Sequence, residues 1–228
     1  MRIAVLASGH GSNLQALLDA LTDDASAEVT LVIANRADAG ALGRARRAGV
    51  ATAVTREDGQ DASGLIQVLR TAAIDLVVLA GYLKRVPDAV VSAFRNRIIN
   101  IHPALLPAFG GHGLYGHRVH AAVLASGARV SGATVHLVDE QYDHGRILAQ
   151  WPVPVRVDDT PETLAARVLA VEHRLLPCVV RACARLMGAP QLGATGELPS
   201  LPILALKAGS FGPTDTLPTD LDHALATA

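Results

Sequence analysis

Short apolar runs alternate along the first part of the chain with longer segments whose apolar residues recur at helical spacing. RIAVLA (2–7), VTLVIAN (29–35) and IDLVVLAG (74–81) have the length of strands, and NLQALLDALT (13–22) and ASGLIQVLRTAA (62–73) have the helical pattern. Central strands of a parallel sheet are covered on both faces and therefore read as continuous Val, Ile and Leu runs. The alternation predicts an α/β fold with a doubly wound, mostly parallel sheet.

The second half of the sequence predicts a different end to this sheet. RIINI (97–101) reads as one more central strand, and VSGATVHLVD (130–139) and RILAQWPVPV (146–155) are separated by a connection short enough for an antiparallel pair. A long helical pattern covers 160–188, and Pro177 inside it predicts a kink or a break. We therefore expect a Rossmann-like sheet with an antiparallel C-terminal strand pair and a long C-terminal helix.

Composition changes sharply at the end of that helix. The sequence 189–228 is rich in Pro, Gly, Thr and Leu and has one short apolar patch, LPILAL, and no repeat. We expect a single domain over 1–188, with a nucleotide or phosphate side in its N-terminal half, and a partly ordered tail over 189–228.

Charge and hydropathy disfavour several classes of partner. The formal net charge is -1, with the basic residues scattered, so we expect no nucleic-acid partner. No stretch approaches the ~20 apolar residues that span a bilayer, and the N-terminus passes into a glycine turn without a cleavable signal pattern. These features predict no membrane association and a cytoplasmic location.

The glycine turn after the first strand is a candidate anion site. Gly11, Ser12 and Asn13 lie between a predicted strand and a predicted helix, where backbone N–H groups and the positive end of the helix point at a ligand. The third glycine position of the dinucleotide motif G-x-G-x-x-G holds Leu14 instead. The segment predicts a phosphate or other anion site, and the alternative is a tight turn that caps the helix.

A second candidate lies where the strand RIINI ends. Asn100 and His102 alternate with Ile99 and Ile101, so both polar side chains emerge on one side of the strand. Ligands of open parallel sheets bind beyond the carboxyl ends of the strands. Asn100 could donate an N–H to a developing oxyanion and His102 could exchange a proton, whereas the alternative is a histidine bonded there for structure only.

Three carboxylates crowd the connection between the last two predicted strands. Asp139, Glu140 and Asp143 most often indicate a solvated turn. A sharper hypothesis is that one of them faces His102, holds its tautomer and raises its pKa, so that a protonated imidazolium exists near neutral pH. Sequence spacing does not choose among the three.

The histidines show no recognised metal-binding pattern. No H-E-x-x-H motif and no cysteine pair at zinc spacing occurs, and no G-x-S-x-G motif marks a serine nucleophile. We therefore expect no functional metal. The histidines considered as metal ligands are His112, His117, His120, His136 and His144.

These motifs, in this order, resemble the folate-dependent formyltransferase family, in its phosphoribosylglycinamide formyltransferase branch. The resemblance runs from Arg2 to about Arg185 and includes RIAVLASGHGSNLQALL, LVVLAGYLKRV, NIHPALLPAF and GATVHLVDEQYDHGRILAQ. NIHPALLP together with the D-x-G loop is typical of folate-linked formyl transfer, and the GSN turn indicates the glycinamide ribonucleotide branch.

The resemblance implies a role for each matched position. Asn100, His102 and Asp143 match the catalytic amide, imidazole and carboxylate. The remaining matches would bind the substrates. Gly11, Ser12 and Asn13 match positions that bind the phosphate, and Glu172 matches one that binds the ribonucleotide. The positions matched to folate binding are Leu83, Lys84, Arg85, Val86, Asn100, Asp139, Glu140 and Arg56.

The resemblance also implies that the C-terminal half of the domain is the folate side, and it implies an activity. The amine of glycinamide ribonucleotide would attack the formyl carbon of the co-substrate 10-formyltetrahydrofolate directly, without a metal, with small molecules as the only partners and a homodimer as one allowed state. Two alternatives stay open: a formyltetrahydrofolate deformylase-like hydrolase, and a non-catalytic nucleotide- or folate-binding module. Methionyl-tRNA formyltransferase and the deformylase each need an additional domain, for which we expect no room.

Overall fold

A computed structural model describes residues 1–56 and 60–188 of the chain. This part forms seven strands and six helices. In chain order they are β1 Arg2–Ala7, α1 Ser12–Ala20, β2 Glu28–Ala34, α2 Gly40–Arg47, β3 Ala51–Val54, α3 Ala62–Thr71, β4 Leu76–Leu79, α4 Asp88–Ala93, β5 Ile98–His102, α5 His117–Ala125, β6 Val130–Leu137, β7 Ile147–Pro154 and α6 Pro161–Gly188.

The strands form one sheet in the order β3-β2-β1-β4-β5-β6-β7. The pairs from β3 to β5 are all parallel, and β6 runs antiparallel to both β5 and β7. The order reverses next to β1, because the chain first adds strands on one side of it and then returns to the other. The predicted doubly wound sheet, with its antiparallel C-terminal pair, is confirmed.

Both faces of the sheet are covered, as the continuous apolar runs predict. In β1, Ile3 and Val5 belong to one buried cluster and Ala4 and Leu6 to another. The first cluster includes residues of α1, α2, α5 and α6, and the second includes residues of α3 and α4. Alternate side chains of each central strand therefore serve different helix layers.

The predicted break at Pro177 is wrong, because α6 runs through this residue as one helix of 28 residues. An interior proline removes a backbone hydrogen bond and strains the preceding turn. Here the flanking side chains are buried against the rest of the protein, and this packing holds the helix together across the proline. They are Leu175, Leu176, Val179 and Val180.

The predicted tail over 189–228 lies outside the described residues, as do positions 57–59, which follow Arg56. Within the described ranges, no helix is both long and apolar enough to cross a membrane.

Candidate active site

A cavity of about 870 Å³ opens beyond the carboxyl ends of the parallel strands. Ser8 follows β1, Asn35 follows β2, Gly81 follows β4, and His102 ends β5; all four line the cavity. This is where the strand order reverses and where open α/β sheets bind ligands. Loops and helices supply the remaining walls.

Strand β5 brings Asn100 and His102 to this cavity together. Residues two apart on a strand share a face, and Asn100 and His102 both line the cavity. Ile99 and Ile101 lie on the other face, in the first buried cluster. Antiparallel pairing with β6 places His136 directly opposite Asn100. The edge of the sheet thus presents an amide and two imidazoles side by side.

Of the three candidate carboxylates, Asp143 is the one that faces His102. Its Oδ2 lies 3.5 Å from His102 Nδ1 and accepts a hydrogen bond of 2.9 Å from the Gly111 backbone N–H, and its Oδ1 lies 3.4 Å from Asn100 Nδ2. The side chain is 11% exposed. Asp143 also has a φ of 53°, in the left-handed region that few non-glycine residues adopt. A tight turn therefore aims this carboxylate back at the sheet.

The other two carboxylates have different partners. Asp139 lines the cavity, and its Oδ2 lies 2.8 Å from His144 Nδ1. Glu140 is not among the described residues that line the cavity; its carboxylate pairs with Arg95 at 2.7 Å. Its predicted contact with folate has no support in this arrangement.

His136 is a member of the site that the sequence alone did not single out. Its Nδ1 lies 2.8 Å from the Leu137 carbonyl oxygen and its Nε2 lies 3.0 Å from Asn100 Nδ2. A carbonyl oxygen only accepts, so Nδ1 carries the hydrogen, and in the tautomer with hydrogen on Nδ1 alone, Nε2 accepts from the Asn100 amide. His136 therefore fixes which end of the Asn100 side chain faces β6. The feature that identifies His136 is its position opposite Asn100 in the sheet. That position depends on the register between β5 and β6, which sequence spacing does not predict.

Burial decides the protonation of His102. Its side chain is nearly closed off from solvent, and Nε2 lies 2.9 Å from the Phe109 carbonyl oxygen. Burial lowers the pKa of His102, and Asp143 and the Phe109 carbonyl oppose only part of this shift. The predicted rise in the pKa of His102 is therefore wrong, because the cost of burying a charged ring exceeds the attraction of one carboxylate.

Asp143 itself stays ionised. Burial raises the pKa of its carboxyl group, but the contact with His136, the nearby His102 ring and the Gly111 N–H together hold that pKa below its ordinary value. The site therefore combines a carboxylate with an imidazole that is mostly neutral at neutral pH.

The far end of the cavity is formed by α1 and α6. Asn13 Nδ2 donates a hydrogen bond of 2.7 Å to Glu172 Oε2, and both residues are buried and line the cavity. Burial raises the pKa of Glu172 to about 7, and the hydrogen bond from Asn13 offsets only part of that rise. Asn13 Oδ1 and Asn35 Oδ1 have no hydrogen-bonding partner in the described part of the protein. These acceptors suit a ligand rich in donors, such as hydroxyl groups.

Gly11 and Ser12 form the turn that enters α1. Gly11 precedes the helix with a φ of 74°, and a Cβ there would lie 2.7 Å from Ala41 Cα. Only glycine fits this left-handed position against α2. Among the described residues, neither Gly11 nor Ser12 lines the cavity, so their phosphate contact remains a prediction.

Residues 83–86 form one wall of the cavity, and their contact with folate stays a prediction. The backbone N–H of Leu83 donates to Ser8 Oγ at 2.9 Å, and the Leu83 side chain is 53% exposed. Val86 is buried, and Arg85 donates a hydrogen bond of 2.7 Å to the Glu140 carbonyl oxygen. All four side chains line the cavity: Leu83, Lys84, Arg85 and Val86.

Arg56 lies just beyond the end of β3 and is exposed. It is not among the described residues that line the cavity, so a role in folate binding has no support here. In the same described part of the chain, no group of three His, Cys, Asp or Glu side chains is placed to hold a metal ion.

Comparison with known proteins agrees with this geometry. The sequence pattern of the formyl transferase family matches residues 1–180. A chloroplastic phosphoribosylglycinamide formyltransferase of Arabidopsis thaliana is 51% identical over 188 residues, covering 79% of this chain and 64% of the relative. The chain therefore spans a little less than two thirds of this plant protein.

Bacterial relatives are closer to it in length. Phosphoribosylglycinamide formyltransferase of Escherichia coli is 40% identical over 186 residues, covering 79% of this chain and 85% of the relative. The crystal structure of glycinamide ribonucleotide transformylase 1 from Symbiobacterium toebii is similar with a TM-score of 0.76 and 42% identity, covering 81% of this chain and 88% of that chain.

Proposed function

This chain belongs to the formyl transferase family, and we propose that it transfers a formyl group from 10-formyltetrahydrofolate to the amino group of glycinamide ribonucleotide. The observation that carries the proposal is the convergence of Asn100, His102 and Asp143 at the carboxyl end of β5, inside one cavity with two different ends. The bacterial and plant relatives named for this activity support the choice of acceptor.

The two ends of the cavity suit the two substrates. Asn13 and Glu172 supply polar contacts for the ribonucleotide, and Gly11 and Ser12 begin the helix whose N-terminus favours its phosphate. The half-exposed wall at Leu83 gives apolar surface to the flat ring of the folate. The reacting groups then meet between the two ends, beside β5.

The reaction proceeds by direct attack of the amine. A bond forms between the amine nitrogen and the formyl carbon, whose oxygen gains negative charge in the tetrahedral intermediate. The bond from that carbon to the folate nitrogen then breaks, and one amine proton ends on the folate nitrogen. Holding both substrates in one cavity supplies much of the rate, since it makes an encounter of two molecules effectively intramolecular.

Asn100 stabilises the oxyanion. Its NH₂ group has one hydrogen held by His136 Nε2 at 3.0 Å, whereas its contact with Asp143 Oδ1 at 3.4 Å is long. The second hydrogen is therefore available to a substrate oxygen without rotation of the amide. His136 contributes by preventing the amide from turning over.

His102 carries the proton from the amine nitrogen to the folate nitrogen through Nδ1, because Nε2 donates its hydrogen to the Phe109 carbonyl oxygen. Because burial lowers its pKa, the ring readily gives up a proton that it has accepted. This suits a group that takes a proton from the amine and gives it to the leaving nitrogen. Asp143 stabilises the transient imidazolium, because it is ionised and its Oδ2 lies 3.5 Å from Nδ1.

The test mixes the protein with glycinamide ribonucleotide and 10-formyltetrahydrofolate, without added metal, and follows tetrahydrofolate release alongside the formylated product. We expect equal yields of the two products, with transfer reduced by at least about a hundredfold in Asn100→Ala and His102→Ala. His144→Ala is the matched control, because this histidine lies near the site, is 65% exposed and pairs with Asp139 at the rim.

Other outcomes identify the alternatives. Folate release that ignores the ribonucleotide indicates a deformylase-like hydrolase, in which water replaces the amine. Binding that survives His102→Ala, with no turnover of either substrate, indicates a binding module. A cytoplasmic location and a homodimeric state stay predictions beside this proposal.

A further inference from the structure

His120 lies on α5 and lines the same cavity, yet the proposed mechanism gives it no task. Its side chain is 4% exposed, and its Nδ1 has no hydrogen-bonding partner in the described part of the chain. Burying an imidazole nitrogen without a partner costs about 1–3 kcal/mol. A structural histidine at this place would be expected to have a bond.

The neighbours of His120 belong to two parts of the cavity. The His102 ring is close enough to act on it electrostatically, and α5 packs against α6, whose Ala165, Leu169 and Glu172 form one helical stripe along the cavity wall. The ring therefore lies near the group that handles the proton, on a helix that packs against the helix that carries Glu172.

The ring is neutral in this environment. Burial, together with the smaller effects of the His117 and His102 rings, lowers the pKa of His120 to about 4. A neutral imidazole donates one hydrogen bond and accepts one, and it does not attract an anion as an imidazolium would. The ligand group that it fits is uncharged and polar, such as an amide or a hydroxyl, and not a phosphate.

The order of groups in the ribonucleotide then identifies the partner. If the reacting amine lies at His102 and the ribose lies toward Asn13 and Glu172, the group between them is the carboxamide of the glycinamide unit. We propose that His120 binds this carboxamide and thereby sets the distance between the amine and the formyl carbon. This inference rests on the proposed function, since it assumes that the ribonucleotide is the acceptor.

The test measures binding of glycinamide ribonucleotide and, separately, of tetrahydrofolate by calorimetry in His120→Phe and His120→Gln. Loss of one hydrogen bond to an uncharged group should raise Kd for the ribonucleotide about tenfold in the Phe variant. The Gln variant keeps a donor and an acceptor and should recover most of this loss, and Kd for tetrahydrofolate should stay unchanged in both. His144→Phe is the control, since this histidine is 65% exposed and is not among the described residues that line the cavity.

Chemical detail comes from an analogue in which an ester oxygen replaces the amide nitrogen. Its affinity should differ less between wild type and His120→Phe than that of the natural ribonucleotide. In the folded wild-type protein, the ¹⁵N resonances of the His120 ring should shift when the ribonucleotide is added and not when tetrahydrofolate is added.

The outcomes separate this inference from the proposed function. If the wild-type protein neither binds nor formylates the ribonucleotide, the proposed function fails. If it does both, but the Phe variant binds the ribonucleotide with unchanged affinity, or the His120 resonances do not move, only the role of His120 is overturned. An equal loss of affinity for both substrates would also overturn it, because that pattern indicates a structural role.

Discussion

The orientation of one amide side chain decides whether the site can stabilise an oxyanion. Asn100 can turn either its oxygen or its NH₂ group toward a substrate, and the two choices have opposite electrostatic effects. His136 Nε2 and Asp143 Oδ1 are both acceptors and lie on the same side of Asn100, at 3.0 and 3.4 Å from its nitrogen. The amide is therefore held in one orientation by its neighbours.

Two substitutions of His136 separate its two nitrogens. The amide of His136→Gln reaches the position of Nε2 and can still accept from Asn100, whereas the amide of His136→Asn reaches only the position of Nδ1. We expect kcat to stay within about threefold of wild type in the Gln variant and to fall by roughly tenfold to a hundredfold in the Asn variant, with little change in KM. Steady-state kinetics of both variants provide the measurement.

A double variant provides the control for this prediction. If His136 acts through Asn100, His136→Asn should cost nothing further once Asn100 is already Ala. Additive losses in the double variant would show that His136 acts independently of the amide.

Glu172 links the polar end of the cavity to stability. Its pKa is about 7 in the folded protein, raised from 4.5 by burial. Between pH 4.5 and pH 7, the carboxyl group is therefore protonated in the folded state and ionised in the unfolded state. This contribution to stability is fully present below pH 4.5 and is lost as the pH rises through 7. From pH 6 to pH 8.5 the wild-type protein should lose about 1 kcal/mol of unfolding free energy relative to Glu172→Gln, measured by urea denaturation. Parallel pH profiles for the two proteins would contradict the shifted pKa.

Sequence reasoning placed Asn100 and His102 correctly because strand alternation is a local property. Spacing alone could not choose Asp143 over Asp139 and Glu140, since that choice depends on how a turn with positive φ folds back onto the sheet. The family resemblance did select Asp143. Sequence reasoning also mistook the direction of the pKa shift of His102, because desolvation depends on neighbours that are distant in sequence.

At the scale of elements, the connection between β6 and β7 positions the carboxylate. Gly145 lies in this connection, and a Cβ there would lie only 1.9 Å from the Leu137 carbonyl oxygen. Because this obstacle is backbone, a side chain forces the turn that holds Asp143 to move. Gly145→Ala should therefore lower the unfolding free energy by about 2 kcal/mol or more, and transfer activity should fall even where the protein is still folded.

A second glycine provides the comparison. Gly43 lies within α2, where a Cβ would meet only the Arg47 guanidinium at 3.6 Å. Gly43→Ala should stabilise the protein by about 0.4–1 kcal/mol and leave activity intact. Thermal denaturation of both variants tests the pair, and equal destabilisation would contradict the steric argument.

Element order was the most predictable level of this structure. Continuous apolar runs revealed buried parallel strands, and the short separation of the last two revealed their antiparallel pairing. The break predicted at the proline in α6 does not occur, because a propensity rule describes an isolated helix and not one packed on a sheet.

For the whole molecule, the proposed function requires one cavity to hold both substrates at the same time. Within the described residues that line it there is no cysteine; Cys178 and Cys183 are buried in α6. Initial-rate plots at several fixed concentrations of the second substrate should therefore intersect, as a ternary complex requires, and a thiol reagent should leave the activity unchanged. Parallel lines would indicate a covalent formyl-protein intermediate instead.

The change of strand direction at β5 has a consequence for how such a protein can diversify. The strands β5 and β6 hold Asn100, His102 and His136, whereas the wall at 83–86 and the helices α1, α5 and α6 supply other residues that line the cavity. Under the proposed function, a substitution in a wall should alter selectivity without disturbing the strand register that aligns Asn100 with His136. Donor and acceptor preference can thus be redesigned separately on this scaffold, with the reactive centre kept as a fixed module.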